Sequence, residues 1–179
     1  MSNRLYLSLG SNMGDREAHL REAIARLQGE GRVASVSSFY ETEPVEVTDQ
    51  EWFLNCAVAL ETTQTPEQVM AALLNIERVM GRQRILRRGP RIIDIDILLF
   101  SDRIIDSNEL TVPHPAMHQR RFVLQPLAEI APAARHPVLK KTIRELLDAL
   151  PAGQSIRLFH DHHEASDQRP KTNDRTTAE

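Results

Sequence analysis

Cysteine is nearly absent from this chain. Cys56 stands alone, which excludes an internal disulfide and a cysteine-based zinc site. It lies in the apolar run 54–60 and reads as a small core residue. Aromatic side chains are only 4% of the sequence and the net charge is -3, so bulk attraction to nucleic acid or an anionic membrane is missing. A sheet that stacks single-stranded bases would need exposed aromatics and a basic surface, and no RNP-like motif is present. No apolar run approaches a membrane span and the N-terminus lacks a signal-peptide pattern, so the expected setting is a reducing cytoplasm with no membrane contact. Gly-x-Gly-x-x-Gly and a Gly-rich loop ending in Lys-Ser/Thr are both missing, which removes the common nucleotide fingerprints. Internal repeats and linkers are missing too. What is present is an ordinary globular balance, 41% apolar and 26% charged over 179 residues, which fits one domain.

The most informative stretch runs from Arg87 to Phe100. It opens basic, turns at Gly89-Pro90, and becomes a β-branched run with Ile at 92, 93, 95 and 97. That composition favours a strand. Alternation then puts Asp94 and Asp96 on one face. Two adjacent carboxylates repel, and burying them unpaired is costly. A divalent cation removes that cost, and Mg²⁺ suits one or two carboxylates completed by substrate phosphates. The alternative is an edge strand with a solvated acidic face. Five arginines between 82 and 91, with no acidic residue among them, form either a solvated charged loop or the cationic half of a phosphate site.

Elsewhere the periodicities are plain. Leu5, Leu7 and Leu9 alternate in a first strand, 4–9, and 10–14 is a Gly-containing turn that packs under the site. A helix over 15–28 buries Leu20, Ala23, Ile24 and Leu27. A second strand spans 33–40, and 41–50 is a loop. The third strand, 52–61, places Leu54, Cys56, Val58 and Leu60 on one face and Phe53, Asn55, Ala57 and Ala59 on the other. Phe53 beside Asn55 is a platform for a flat heterocycle, although an ordinary sheet aromatic next to a surface amide is the commoner outcome. Thr65-Pro66-Glu67-Gln68 is a capping box with Pro at N1, opening a helix that ends near Gly81, with Glu77 on its polar side. A hairpin excursion occupies 102–110, a proline-bounded loop 111–115, a helical stretch 117–130, a capped helix 142–150 and an edge strand 155–159. Strand, helix, strand, strand, helix, strand gives an α+β, ferredoxin-like βαββαβ sandwich, with an antiparallel sheet, helices on one face and a ligand cleft on the other, plus short C-terminal helices. From His160 on, core-forming side chains almost vanish. Residues 1–159 are therefore read as the domain and 160–179 as a disordered polar tail, in which His160, His162 and His163 are at most an adventitious metal site.

Several motifs in order carry a resemblance. They are Leu-Gly-Ser-Asn at 9–12, Ser-Ser-Phe-Tyr-Glu-Thr at 37–42, Phe-Leu-Asn-Cys-Ala-Val at 53–58, Ile-Glu at 76–77 and Gly-Arg at 81–82. Then come Arg-x-Gly-Pro-Arg-x-x-Asp-x-Asp-Ile-Leu from Arg87, Leu-Thr-Val-Pro-His-Pro at 110–115, and Arg-x-Phe-Val-Leu-x-Pro-Leu-x-Glu-Ile-Ala-Pro from Arg120. Together they resemble the 6-hydroxymethyl-7,8-dihydropterin pyrophosphokinases of folate biosynthesis. The resemblance implies transfer of the pyrophosphoryl group of ATP to the pterin hydroxymethyl oxygen, by attack at the β-phosphorus, with AMP as the second product. It implies two Mg²⁺ ions on Asp94 and Asp96, and catalytic roles for these two with Arg82 and Arg91. Pterin contacts would come from Thr42, Glu43, Val45, Phe53, Asn55, Asp94 and Phe122. ATP contacts would come from Glu77, Arg84, Arg87, Arg91, Ile97, Thr111, His114 and Arg120. The expected partners are ATP and the pterin alone, without nucleic acid, in a monomer.

The chain departs from the better-known family pattern at Leu74, where glutamine is common, at Arg88 in place of tryptophan, at Glu109 in place of a basic residue, and at Pro115 in place of tyrosine. None removes a metal ligand or a stacking ring. The changes keep open a second reading, a non-catalytic paralogue that binds pterin or nucleotide.

Overall fold

The computed structural model describes residues 1–44, 49–82 and 90–160. Its main sheet contains β1 (Asn3–Ser11), β2 (Arg32–Val36), β3 (Tyr40–Thr42), β4 (Phe53–Thr62), β5 (Asp94–Phe100) and β8 (Ile156–Leu158). The strand order is β5-β1-β4-β3-β8, β2 also pairs with β4, and every pairing is antiparallel. A two-stranded ribbon, β6 (Ile105–Asp106) with β7 (Thr111–Val112), follows the central strands. Helices are α1 (Arg16–Leu27), α2 (Pro66–Val79), α3 (Arg121–Ile130) and α4 (Ile143–Asp148). Taking β2 and β3 as one interrupted strand, the α+β, ferredoxin-like βαββαβ order holds.

Local signals set the helix ends. Asp15 caps α1 by accepting the Ala18 N–H. Thr65 with Gln68, and Thr142 with Glu145, form the two capping boxes that the sequence announces. Helix α2 is followed by Gly81 at φ +89°, a conformation open to glycine.

Three boundaries differ from the sequence expectation. The first strand runs on to Ser11, so Gly10 is a strand residue. The second strand is broken between Val36 and Tyr40 and then resumes to Thr42, inside the expected loop. Serine hydroxyls cause the break. Ser37 Oγ accepts from Ala57 N–H and donates to Ser38 O, while Ser38 gives both its N–H and its hydroxyl to Glu129 on α3. The expected helix over 117–130 is a short 3-10 turn, Met117–Gln119, followed by α3, because Arg120 between them is extended.

One face of the sheet packs on α1 and α2. Leu5, Leu7, Leu9, Leu54, Val58, Leu60, Ile95, Ile97 and Phe100 meet Leu20, Leu27, Val69, Leu73 and Ile76 there. Each fully buried large aliphatic side chain contributes roughly 1.5–3 kcal/mol. Cys56 sits in this core at 1% exposure, and burial pushes its thiol up to about 12, so it is an inert core residue as expected. On the other face α3 and α4 cover one end, with Ala57, Leu98 and Leu99 against Val123, Leu124, Leu127 and Ile143. A bulge makes this possible. Tyr6 pairs with Leu99 and Leu7 with Ile97, so Leu98 is an extra residue and two adjacent leucines can serve the α3 side. The rest of this second face is left for a cleft. The edge strand expected at 155–159 is β8. The expected tail, past His160, lies outside the described residues. No described helix is long and apolar enough to cross a membrane.

Candidate active site

The uncovered part of the second face is a cleft of about 380 Å³, within the range usual for small-molecule sites. Its floor is the register of three strands. Gly10 on β1 lies opposite Asn55 on β4 and opposite Asp94 on β5, and Ser8 lies opposite Asp96. The absence of a side chain at Gly10 matters: a Cβ there would stand 2.6 Å from Asn55 Oδ1. Asn55 is 4% exposed and its Nδ2 donates to Thr42 Oγ1 on β3. Phe53, paired with Thr42 in the register, and Phe122 on α3 line the same cleft.

Charge is unevenly shared between the two aspartates. Asp94 receives Arg82 at 2.9 Å on one oxygen and Arg91 at 2.6 Å on the other. Arg82 also meets Glu77 Oε2 at 2.6 Å. Asp96 has no ion pair or side-chain hydrogen bond among the described residues. Burial, then the charges of Asp94 and Glu77, push its carboxyl up to about 7. The cleft therefore holds one neutralised carboxylate and, beside it, one that has no cation of its own. Arg91 is fixed through its backbone, with Asn12 donating its N–H to Arg91 O at 3.0 Å and accepting Arg91 N–H on Oδ1 at 2.7 Å. Asn12 Nδ2 also reaches Gln50 Oε1 at 2.9 Å, so the 10–14 stretch does pack under the site.

Glu77 corrects the sequence reading. It is not on the polar side of α2 but 4% exposed, with Oε1 accepting the Ile95 N–H at 2.8 Å. Burial raises its carboxyl, while the Ile95 N–H and Arg82 pull it back. It therefore stands behind Asp94, joining α2 to β5. Ile97, expected as a nucleotide contact, lies on β5 next to Asp96. Its side chain is 4% exposed in the α1–α2 core, on the sheet face opposite Asp96, so only its backbone is left to meet a ligand.

Of the residues singled out in the sequence, the cleft brings together Thr42, Glu43, Phe53, Asn55, Arg91, Asp94, Asp96, Arg120 and Phe122. Arg120 lies with its guanidinium carbon 5.6 Å from the Phe122 ring centre. His114 is half-buried next to this wall. Its Nδ1 accepts the Ala116 N–H, and burial and then Arg120 lower its pKa. Thr111 on β7 is exposed, as are Glu109 before that strand and Pro115 after it, and none of the three lines the cleft. Leu74 is 40% exposed on α2. Val45, Arg84, Arg87 and Arg88 lie outside the described residues. The cleft also uses Ser8, Gly10, Pro44, Gln50, Ala116, Gln119 and Gln154, which sequence reasoning missed. Only Gly10 carried a signal, since glycine inside a strand marks a close approach.

A family model described as 7,8-dihydro-6-hydroxymethylpterin-pyrophosphokinase matches residues 6–132. A 2-amino-4-hydroxy-6-hydroxymethyldihydropteridine pyrophosphokinase of Bacillus subtilis is 49% identical over 132 residues, covering 73% of this chain and 79% of that one. The protein of the same name from Methylorubrum extorquens is 44% identical over 153 residues, covering 84% of this chain and 96% of that one. The folic acid synthesis protein fol1 of Schizosaccharomyces pombe is 43% identical over 156 residues, but the match spans only 21% of its length. Among solved structures, a Plasmodium falciparum HPPK-DHPS superposes with a TM-score of 0.66 over 83% of this chain and 45% of that one; at 18% identity this likeness concerns the fold.

Proposed function

The chain belongs to the 7,8-dihydro-6-hydroxymethylpterin-pyrophosphokinase family and is a pyrophosphokinase of folate synthesis, and from that premise we propose the detailed reaction and its residues. The reaction is Mg²⁺-dependent transfer of pyrophosphate from ATP to 6-hydroxymethyl-7,8-dihydropterin. The hydroxymethyl oxygen attacks the β-phosphorus, the bond from that phosphorus to the α–β bridging oxygen breaks, and AMP leaves as the pterin diphosphate forms. The catalytic unit is residues 1–159.

The observation that carries this reading is the meeting of two chemistries in one cleft. An aromatic-and-amide platform, Phe53, Phe122 and Asn55, adjoins the carboxylate pair Asp94–Asp96 with its arginines. The rings stack the bicycle and exclude water from its faces. Asn55, held by Thr42, presents a fixed amide to the ring's polar edge. The donor set fits a hard divalent cation. Asp94 and Asp96 are oxygen ligands on one strand face, Asp96 lacks a cationic partner, and no group of three or more potential ligands exists among the described residues, so phosphate oxygens and water would complete the shell. Mg²⁺ bound there supplies charge neutralisation for the phosphates and acidifies the attacking hydroxyl. Arg82 and Arg91, now on Asp94, are the local cations for the polyphosphate, and Glu77 fixes Arg82 from below. Phosphoryl transfer asks chiefly for such positioning and charge stabilisation.

The test is AMP release from ATP, measured with the pterin present or absent and with Mg²⁺ present or chelated. Equimolar AMP and pterin diphosphate, only with all three components, is the expected result. Pterin binding without any AMP release would instead make the chain a binding paralogue.

A further inference from the structure

Asn12 is not among the residues that line the cleft, yet two that do, Gln50 and Arg91, are fastened to it. It follows the last residue of β1, and only 3% of it is exposed. A carboxamide buried to that degree must have its donors and its acceptor met inside the protein. Two separate segments of the cleft wall meet them. Asn12 N–H donates to Arg91 O at 3.0 Å, and Asn12 Oδ1 accepts the Arg91 N–H at 2.7 Å. Asn12 Nδ2 donates to Gln50 Oε1 at 2.9 Å and to Glu51 O at 3.4 Å. Arg91 is thus gripped at both of its backbone groups, just ahead of Asp94, whose Oδ2 its guanidinium meets at 2.6 Å. Gln50 and Glu51 lead directly, through Trp52, to the ring of Phe53.

The two segments carry different chemistry. Arg91 belongs with the carboxylates and the polyphosphate, while residues 50–53 lead to the stacking platform. Transfer needs the attacking oxygen and the phosphorus at near-attack distance, and a misplacement of about 1 Å can lower the rate about 100-fold. Substrates held by separate segments meet at that distance only where the segments keep a fixed separation. Resting on the pyrophosphate-transfer reading above, we infer that Asn12 is a positioning residue. By joining Arg91 to Gln50 and Glu51, it sets the spacing between the cation that meets the polyphosphate and the strand end that carries the pterin ring.

Asn12→Ala in the full chain removes the side-chain link and leaves the bond from residue 12 N–H to Arg91 O. The kcat should fall by about 10–100-fold. Calorimetric Kd values for a non-hydrolysable ATP analogue with Mg²⁺, and for the pterin with that analogue bound, should each stay within about threefold. Flexible side chains can follow a displaced ligand, whereas the alignment of the reacting atoms cannot adjust. An unchanged kcat, or ligand binding weakened as much as kcat falls, would make Asn12 a support of the fold and overturn the inference. Should Asn12→Ala unfold, Asn12→Ser keeps a hydroxyl there that is too short to join the two segments, and the same comparison of kcat with binding decides. Failure of the wild-type chain to release AMP is a separate result that defeats the pyrophosphate-transfer reading itself.

Discussion

Gly10→Ala is a one-carbon change whose effect can be worked from the geometry. Gly10 lies mid-sheet between Asn55 and Asp94. Its backbone is not in the left-handed region, so space rather than conformation opposes a side chain. The new Cβ would stand 2.6 Å from Asn55 Oδ1, whereas ordinary contact begins near 3.4 Å, so the amide has to retreat by roughly 0.8 Å. Asn55 is buried and held by Thr42, and a shift of that size breaks their hydrogen bond. Losing a bond to a buried amide costs about 1–3 kcal/mol, while alanine recovers about 0.5–1 kcal/mol of strand stability relative to glycine. The net cost to folding is about 0–2.5 kcal/mol, and loss of one hydrogen bond between the displaced amide and the pterin edge, about 0.5–1.5 kcal/mol, corresponds to about a 2- to 13-fold rise in pterin KM. Binding of a non-hydrolysable ATP analogue, followed by calorimetry, should change little. Adding Asn55→Ala to Gly10→Ala removes the clash, so the double variant should melt above Gly10→Ala while its pterin affinity stays poor. A Gly10→Ala enzyme with wild-type pterin KM and melting temperature would refute the reasoning.

The remaining predictions concern the carboxylates and the rings. Asp94→Ala and Asp96→Ala should each abolish AMP release, but with opposite effects on folding: Asp96→Ala removes a carboxylate without a cation and should melt no lower than wild type, whereas Asp94→Ala strands Arg91, leaves Arg82 with Glu77 alone, and should melt lower. A calorimetric melting order of Asp94→Ala above Asp96→Ala would contradict the charge arrangement. Glu77→Gln keeps an acceptor for the Ile95 N–H and should fold normally, while Glu77→Ala leaves that N–H buried and should lose about 1–3 kcal/mol in denaturant titration; equal stability of the two would show that the bond contributes nothing. Phe53→Ala or Phe122→Ala should weaken pterin binding by about 1–3 kcal/mol, taking base-on-aromatic stacking as the guide, and calorimetry showing an equal loss for an ATP analogue would count against the platform.

Much of this protein is legible along the chain because strand and helix rules act over a few residues. The alternation in β4 separates Phe53 and Asn55 from the core set without reference to any tertiary contact, and the same period-two rule puts Asp94 and Asp96 on one face. Both capping boxes followed from residues three apart. Motif resemblance added Phe122 and Arg120, whose place in the cleft no local pattern could give. Other features depend on which distant segments meet. Glu77 looked polar-facing because helix periodicity knows nothing of β5, whose Ile95 N–H, 18 residues away, takes its carboxylate into the interior. The break after Val36 comes from two serine hydroxyls answering Ala57 and Glu129. Gln154 reaches Glu43 across 111 residues, through a strand pairing that its own neighbours do not announce. A buried polar group must find a partner wherever the fold supplies one. That partner is chosen by the packing of whole elements, so such groups were decided only in three dimensions.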